Sequence, residues 1–290
     1  MTDWLERHVS KIVLAPTFFV VLLFVYGFIA WTAWISLTRS QIMPSYDFDG
    51  LIQYQRLFAS PRWDTAMTNL YIFGGLFIGL SMIIGLCLAI LLDQKIRTEG
   101  VLRTVYLYPM ALSMIVTGTA WKWMLNPGLG LESVVRGWGF EGFTFDWLVN
   151  PDMAIYTVVL AAVWQASGFV MALFLAGLRS VDGEIIKAAE VDGIPTWRVY
   201  TAIIIPSMAP IFLSAFIVLA HLAIKAFDLV IALTGGGPGY ATDLPATYMY
   251  AMAFSRGDLG QAAASAIVMM TVVFAVVVPY LYSELRAKHD

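Results

Sequence analysis

Residues 178–203 read LRSVDGEIIKAAEVDGIPTWRVYTAI and separate two long apolar segments of the chain. Asp182 stands where it can act as a helix N-cap, and apolar and small residues follow it at helical spacing. Gly193 is typical of a helix C-cap, and Pro195 cannot continue the same helix. The stretch therefore predicts a short helix at about residues 182–194, held between two much longer apolar helices.

The composition around this stretch is that of a membrane protein. The 290 residues are 60% hydrophobic and 13% charged, with a mean hydropathy of +0.77. Soluble domains average about 25% charged residues, so this chain could not cover its surface with polar groups in water. Six uncharged stretches approach the ~20 residues that a helix needs to cross the hydrocarbon core. Their apolar content is nearly continuous rather than alternating, which favours helices over a β-barrel.

These stretches predict an all-α integral membrane protein with six transmembrane helices. The helices are expected near residues 12–37, 67–92, 104–125, 153–177, 204–232 and 260–283. An even number of spans puts both termini on one side, together with ten lysines and arginines against five on the other. The positive-inside rule then places both termini, and the stretch 178–203, in the cytoplasm.

Several classes of function are disfavoured by the sequence. The net charge of −3 and the pI of about 5.6 argue against nucleic-acid binding. Cys87 is the single cysteine, and two of the three histidines lie near the termini, so no metal site is predicted. There is no GxxxxGK[ST] phosphate loop, GxSxG or HExxH motif. We therefore expect no catalytic residues and no cofactor, and no ATP hydrolysis by this chain alone.

One group of ionisable residues falls inside a predicted span. His221, Lys225 and Asp228 are spaced by four and three residues, which puts them on one face of the fifth helix. Ionisable groups in a span usually face the bundle interior or a watery cavity. One interpretation is a polar lining of a transport path. The other is a Lys225–Asp228 pair near the outer membrane edge that locks this helix to a neighbour.

Three further residues are candidates for the same path. Asn69 and Gln165 are neutral polar groups within spans, and either helix-to-helix hydrogen bonds or contacts to a hydroxylated solute would explain them. Trp121 and Trp123 flank Lys122 near the outer end of the third span. This pattern is typical of interface anchors, and a sugar-stacking or gating position is the alternative for Trp121.

The predicted short helix has two interpretations on physical grounds alone. Ala188 and Ala189 are small enough to allow close approach by another surface. Alternatively, the segment is a plain connector with an interfacial helix.

The spacing of residues in this stretch resembles a known motif. Lys187-Ala188-Ala189, three residues, Gly193, nine residues and Ile203-Ile204-Ile205-Pro206 are similar to the EAA motif of binding-protein-dependent ABC importer permeases. Lys187 stands where Glu is usual and Ile205 stands for Leu, and neither change alters the spacing.

Two other segments strengthen the resemblance. Residues 233–239, LTGGGPG, follow Ala226-Phe227-Asp228 as in the carbohydrate branch of the family, and Tyr106–Pro109 precedes Trp121-Lys122-Trp123. The run from Tyr106 to Glu132 is similar to permeases of the glucose/mannose type. Together these segments cover roughly residues 67–290.

The resemblance implies a type I ABC importer permease (MetI-like) fold in the cell inner membrane. Residues 1–66 would form an N-terminal transmembrane helix and an external loop, and residues 67–290 a five-helix permease core. The partners implied are a second, related permease subunit that forms a heterodimer with this chain, two cytoplasmic ATPase subunits and a periplasmic sugar-binding protein. The residues that would couple to the ATPase are Glu184, Lys187, Ala188, Ala189, Glu190, Asp192 and Gly193.

The function that the resemblance implies is uptake of a sugar, such as the monosaccharides glucose or mannose. The alternative is an ion-coupled secondary carrier of a polar solute that works without an ATPase. Such a carrier would need an acidic or broken-helix ion site near the midplane, and the sequence offers no second acidic residue within the spans for it.

Overall fold

The computed structural model describes residues 13–94 and 96–287, with side chains described except at Ile186, Glu190 and 280–287. Within this part of the chain every regular element is a helix, apart from one bridge between Thr38 and Phe48. The helices are α1 Val13–Ile35, α2 Ile52–Phe58, α3 Pro61–Asp93, α4 Glu99–Leu107, α5 Met114–Met124, α6 Leu131–Gly137, α7 Ala154–Ser180, α8 Gly183–Val191, α9 Thr196–Ser207, α10 Ala209–Ile224, α11 Asp228–Leu233, α12 Pro245–Tyr250 and α13 Leu259–Ala287.

Four of the described helices are long and apolar enough to cross a membrane without interruption: α1, α3, α7 and α13. Two bent pairs, α4 with α5 and α9 with α10, bring the number of spans to six if each pair is one span. The predicted all-helical membrane fold is confirmed. The third and fifth spans, expected near residues 104–125 and 204–232, are each interrupted by a bend rather than continuous.

Both bends have a local cause. Between α4 and α5 the backbone turns through 99°, because Leu112 and Ser113 adopt extended conformations after a 3₁₀ turn at Tyr108–Ala111. Between α9 and α10 it turns through 66° next to Pro206 and Pro210. Proline has no N–H to donate within a helix, and its ring clashes with the preceding turn.

The fifth span also ends earlier than the sequence predicts. Helix α10 stops at Ile224, and the chain resumes as α11 only at Asp228. Phe227, between them, has backbone angles (φ −132°, ψ −62°) outside the helical region. No proline or glycine marks this break, so a continuous helix over 204–232 was the natural expectation.

The larger of two compact units contains residues 64–247 and the chain from 272 onward, and α7 is its central helix. Most of α7 is buried, and Phe174 packs on Phe212 of α10 with ring centroids 4.4 Å apart. Helix α3 lies so close to α7 that a Cβ added at Gly85 would sit 2.6 Å from Val170 Cγ1. Small residues at such contacts let transmembrane helices approach closely.

The smaller unit contains residues up to 63 and residues 248–271. Its two parts are joined by backbone and side-chain contacts: Gly260 N–H donates to the Ser40 carbonyl over 2.9 Å, and the ring of Trp63 meets that of Tyr248 edge-on at 5.2 Å. Burial raises the pKa of the Tyr248 hydroxyl, so this side chain remains neutral at physiological pH. The division predicted at residue 66 stays a prediction.

The close approach of α3 and α7 predicts that Gly85→Ala is destabilising. The added methyl group has no room beside Val170 and the Met171 backbone, and such overpacking costs about 1–3 kcal/mol. Gly79→Ala is the matched control, because nothing lies within 4 Å of a Cβ added there. The thermal unfolding midpoint of the purified chain should fall for Gly85→Ala only. Equal midpoints for the two variants would contradict this packing.

Candidate functional site

A cavity of about 420 Å³ lies inside the larger unit. Its walls come from α3, from the link between α4 and α5, from α7, and from the junction of α10 with α11. Four aromatic rings line it: Phe73, Phe77, Phe169 and Phe227. The two broken spans thus contribute their irregular segments to this cavity. Irregular backbone at membrane depth is tolerated where it is enclosed by protein or lines a cavity.

Gln165 of α7 supplies the buried polar group of this cavity. Its side chain is 4% exposed, and its Nε2 donates to the Leu112 carbonyl over 2.8 Å. This bond satisfies a carbonyl that the break between α4 and α5 leaves without a helical partner. The Oε1 atom of Gln165 has no hydrogen-bond partner. A buried acceptor without a partner costs about 1–3 kcal/mol, so a donor entering the cavity would be stabilised here.

His221, Lys225 and Asp228 also line the cavity, and their place in a transport path stays a prediction. They do not share one helix face, because α10 ends at Ile224 and Asp228 is the first residue of α11. All three side chains are exposed in this single chain. Within the described part of the chain they make no hydrogen bond or ion pair, and the expected Lys225–Asp228 pair is not formed.

Asn69 and Trp121 lie outside the lining of this cavity. The buried Asn69 amide donates to the carbonyls of Ala241 and Asp243 over 3.0 and 2.9 Å, which ties α3 to the loop before α12. Trp121 packs edge-on against Trp164 of α7, with centroids 5.8 Å apart. The Asn69 bonds reach a loop rather than the neighbouring helix that the sequence suggested, and the roles proposed for Asn69 and Trp121 stay predictions.

The short helix α8 begins and ends as its sequence predicts. Asp182 Oδ1 accepts from the N–H of Glu184 over 2.9 Å, which is an N-cap bond. At the other end Gly193 has a left-handed φ of +69°, and the Ile194 N–H donates to the Ala189 carbonyl over 3.0 Å. This is the bond pattern of a glycine C-cap. Two independent caps therefore define a helix of nine residues, Gly183–Val191.

The two alanines of α8 face in different directions. Ala189 is 5% exposed and belongs to the hydrophobic core of the chain, whereas Ala188 is exposed. Ala189 thus packs on this chain's own core, and the coupling role expected for the two alanines stays a prediction. Lys187 Nζ contacts Glu184 Oε1 over 2.9 Å on the exposed side. Asp192 and Gly193 are exposed, and the side chain of Glu190 lies outside the described residues.

Sequence reasoning missed the aromatic part of the cavity. Phe73, Phe77, Phe169 and Phe227 are apolar residues in apolar spans, and nothing in their spacing distinguishes them from lipid-facing residues. Among the described residues no group of three or more His, Cys, Asp or Glu side chains is placed to hold a metal ion.

The fold and these two features define a class: a multi-pass helical membrane subunit with a largely apolar cavity that carries a few polar groups, and a capped helix outside the spans. The chain belongs to the binding-protein-dependent transport system inner membrane component family, which it matches over residues 81–288. It is 40% identical over 271 residues to a probable ABC transporter permease protein of Pyrococcus horikoshii, covering 93% of each chain.

Two relatives have named sugars. The xylose/arabinose import permease protein of Haloferax volcanii is 38% identical, covering 90% of this chain and 83% of the relative. The trehalose/maltose transport system permease protein of Thermococcus litoralis is 30% identical, covering 95% of this chain and 93% of the relative.

Solved structures share the fold. A chain of a bacterial ABC transporter that imports the acidic polysaccharide alginate superposes with a TM-score of 0.85 over 99% of both chains, at 19% identity. A chain of the alginate transporter in complex with an alginate pentasaccharide-bound periplasmic protein superposes with a TM-score of 0.83, covering 96% of this chain and 94% of that chain, at 20% identity. The type I ABC importer permease fold is thereby confirmed.

The chain is therefore a transport subunit of the inner membrane and not an enzyme. ATP hydrolysis belongs to a separate subunit in transporters of this family, in agreement with the missing phosphate loop.

The different burial of the two alanines predicts different reactivity of cysteines placed there. Cys87 is exposed, so the test begins from a Cys87→Ala background. In membrane vesicles that expose the cytoplasmic face and lack the ATPase, Ala188→Cys should react with a hydrophilic maleimide about tenfold faster than Ala189→Cys, because only local opening exposes residue 189. Equal rates would contradict the packing of α8, and labelling only from the external face would contradict its predicted side.

Proposed function

We propose that this chain is a permease subunit of a sugar importer, and that its solute is a monosaccharide delivered by a periplasmic binding protein. A second, related permease subunit completes the pathway, and two cytoplasmic ATPase subunits drive it. The cavity inside the larger unit is this chain's part of the solute path. Helix α8 and its caps form the element that contacts an ATPase subunit.

The observation that carries the proposal is the chemistry of the cavity. Phe73, Phe77, Phe169 and Phe227 offer apolar ring faces, and His221, Lys225 and Asp228 offer side chains with no partner among the described residues. Gln165 adds an acceptor without a donor. Sugars present apolar C–H faces and a rim of hydroxyl groups, so rings and hydrogen-bonding groups together suit them. The cavity offers no catalytic set, and transport requires none.

The names of the two sugar permeases support a sugar as the solute, and the xylose/arabinose permease, the more similar of the two, supports a monosaccharide. The xylose/arabinose permease is 38% identical to this chain, whereas the trehalose/maltose permease is 30% identical. The periplasmic protein seen with the alginate transporter supports delivery by a binding protein. Membership of the family argues against the ion-coupled secondary carrier that the sequence alone left open.

Coupling needs two conformations of the permease whose populations ATP changes. Closure of the ATPase subunits would draw the coupling helices of the two permeases together and open the spans outward, and hydrolysis would reverse this movement. Shifting a two-state population from 1:99 to 99:1 takes about 5.5 kcal/mol of differential binding. A helix fixed at both ends by caps, and seated on the core through Ala189, is suited to carry such a movement.

The C-cap gives a test of coupling. Gly193→Val places a β-branched residue at φ +69°, where left-handed backbone costs about 1–2 kcal/mol or more, so the end of α8 should shift. We expect sugar uptake to fall while ATP hydrolysis by the assembled complex persists. Gly50→Val is the matched control, because Gly50 has a similar left-handed φ of +66° and open space around it but lies outside α8. Unchanged uptake by the Gly193 variant would count against the coupling role.

The solute is tested by uptake into liposomes that contain the reconstituted complex with its binding protein. Labelled glucose or mannose should accumulate with ATP, and labelled maltose should not. Gln165→Leu should lower uptake about tenfold, the effect of about 1.4 kcal/mol in a transfer barrier, because it removes a buried polar partner of the solute. Ser167→Ala, on the same helix and outside the cavity lining, should transport normally. Uptake of the disaccharide alone would overturn the proposed solute class.

A further inference from the structure

A polar cluster formed by residues before and after α8 in the chain joins three helix ends to the interior of α9. Asp93 ends α3, Glu99 begins α4, Arg179 lies in the last turn of α7, and Tyr200 lies in α9. Arg179 Nη2 donates to Glu99 Oε1 over 2.7 Å, and its Nε lies 3.7 Å from Asp93 Oδ1. The Tyr200 hydroxyl donates to Asp93 Oδ2 over 3.1 Å. One oxygen of the Asp93 carboxylate thus accepts a hydrogen bond from α9, and the other lies near a guanidinium of α7.

The positions of Arg179 and Tyr200 along the chain indicate what the cluster does. Arg179 precedes the first residue of α8 by four positions, and Tyr200 follows the last residue by nine. The residues that begin and end the segment containing α8 therefore both contact Asp93. We propose that Asp93 is a positioning residue that holds both ends of this segment to α3, so that a displacement of α8 moves α3 with it. This inference rests on the proposed contact of α8 with an ATPase subunit.

The chemistry of the cluster suits a connection that is firm and reversible. The Asp93 carboxylate accepts a charge-assisted hydrogen bond from the Tyr200 phenol, and such bonds are stronger than neutral ones. Its contact with the Arg179 guanidinium, at 3.7 Å, is an ion pair without a hydrogen bond. The side chains of Asp93, Glu99 and Arg179 are 26%, 31% and 44% exposed, so water screens the ion pairs. The Gln94 amide donates to the Tyr200 hydroxyl over 3.3 Å, which orients the phenol toward Asp93.

The connection reaches the cavity through α3. Asp93 ends the same continuous helix that carries Phe73 and Phe77, two rings of the cavity wall. A rigid helix transmits a displacement along its axis, whereas a loop would absorb it. Movement at α8 would therefore reach the solute path by way of α3 as well as through α7 and α9.

The test measures sugar imported per ATP hydrolysed by the reconstituted complex. Tyr200→Phe removes one hydrogen bond and keeps the ring, and Asp93→Asn removes the charge shared by both contacts. We expect each to lower the ratio about fivefold, at the small end of usual coupling between sites. The double variant should be no worse than Asp93→Asn, because Tyr200 acts through Asp93.

The control variants change a carboxylate and a phenol that take no part in this cluster among the described residues. Asp64→Asn changes an exposed carboxylate at the opposite end of α3, and Tyr108→Phe changes an exposed phenol. Both should keep the normal ratio. An unchanged ratio in Asp93→Asn and Tyr200→Phe, or additive losses in the double variant, would overturn the role of Asp93.

A further variant separates failure of this inference from failure of the proposed function. Ala188→Arg enlarges the exposed face of α8 without touching the cluster. If α8 contacts the ATPase, this variant should lose co-purifying ATPase subunits. Retention of ATPase subunits and of uptake would overturn the coupling role of α8 and the inference built on it. Loss of the subunits, with a normal ratio in Asp93→Asn, would overturn the inference alone.

Discussion

The burial of Ala189 in the hydrophobic core is the constraint on which the proposed coupling role of α8 depends. A short helix outside the membrane transmits force only if one of its faces is fixed to the spans, and Ala189 provides that face at 5% exposure. The Asp182 N-cap and the Gly193 C-cap prevent its ends from fraying. The exposed face of α8 is the surface available to another protein, and it includes Ile185, Ala188 and Val191.

The cavity depends on a second constraint, which comes from the bilayer. Backbone groups inside a membrane must find partners within the protein, so a helix can break only where protein or water satisfies it. Here the break between α4 and α5 exposes the Leu112 carbonyl, and the Gln165 amide binds it. The break between α10 and α11 brings His221, Lys225 and Asp228 to the same cavity. At the first break a polar side chain satisfies the freed backbone, whereas the second break places polar side chains at the cavity without such a bond among the described residues.

The sequence predicted the helical membrane fold and α8 well, and for clear reasons. Long uncharged stretches have few alternatives to transmembrane helices, and Asp182, Gly193 and Pro195 are strong local signals for the ends of a helix. The break after Ile224 was not predictable, because no proline or glycine marks it and tertiary packing decides it. The opposite burial of Ala188 and Ala189 also depends on where α8 docks, which helical spacing alone does not specify.

The candidate site was predicted in part. Gln165, His221, Lys225 and Asp228 were identified because polar groups in spans are conspicuous, while the aromatic wall was hidden among equally apolar residues. Asp93 and Arg179 each follow a long uncharged stretch in the sequence, and nothing in their positions along the chain links one to the other. The structure places them in contact, so residues that limit the spans also hold helix ends together.

The most direct measurement of the central claim is disulfide or bis-maleimide cross-linking of α8 to the ATPase subunit in the assembled transporter. With Cys87 replaced by alanine, a cysteine at position 188 should cross-link to a cysteine scanned along the ATPase surface, and the yield should change when ATP binds. A cysteine at position 189 should give no product. Cross-linking from position 189 and not from 188, or from neither position, would contradict the account.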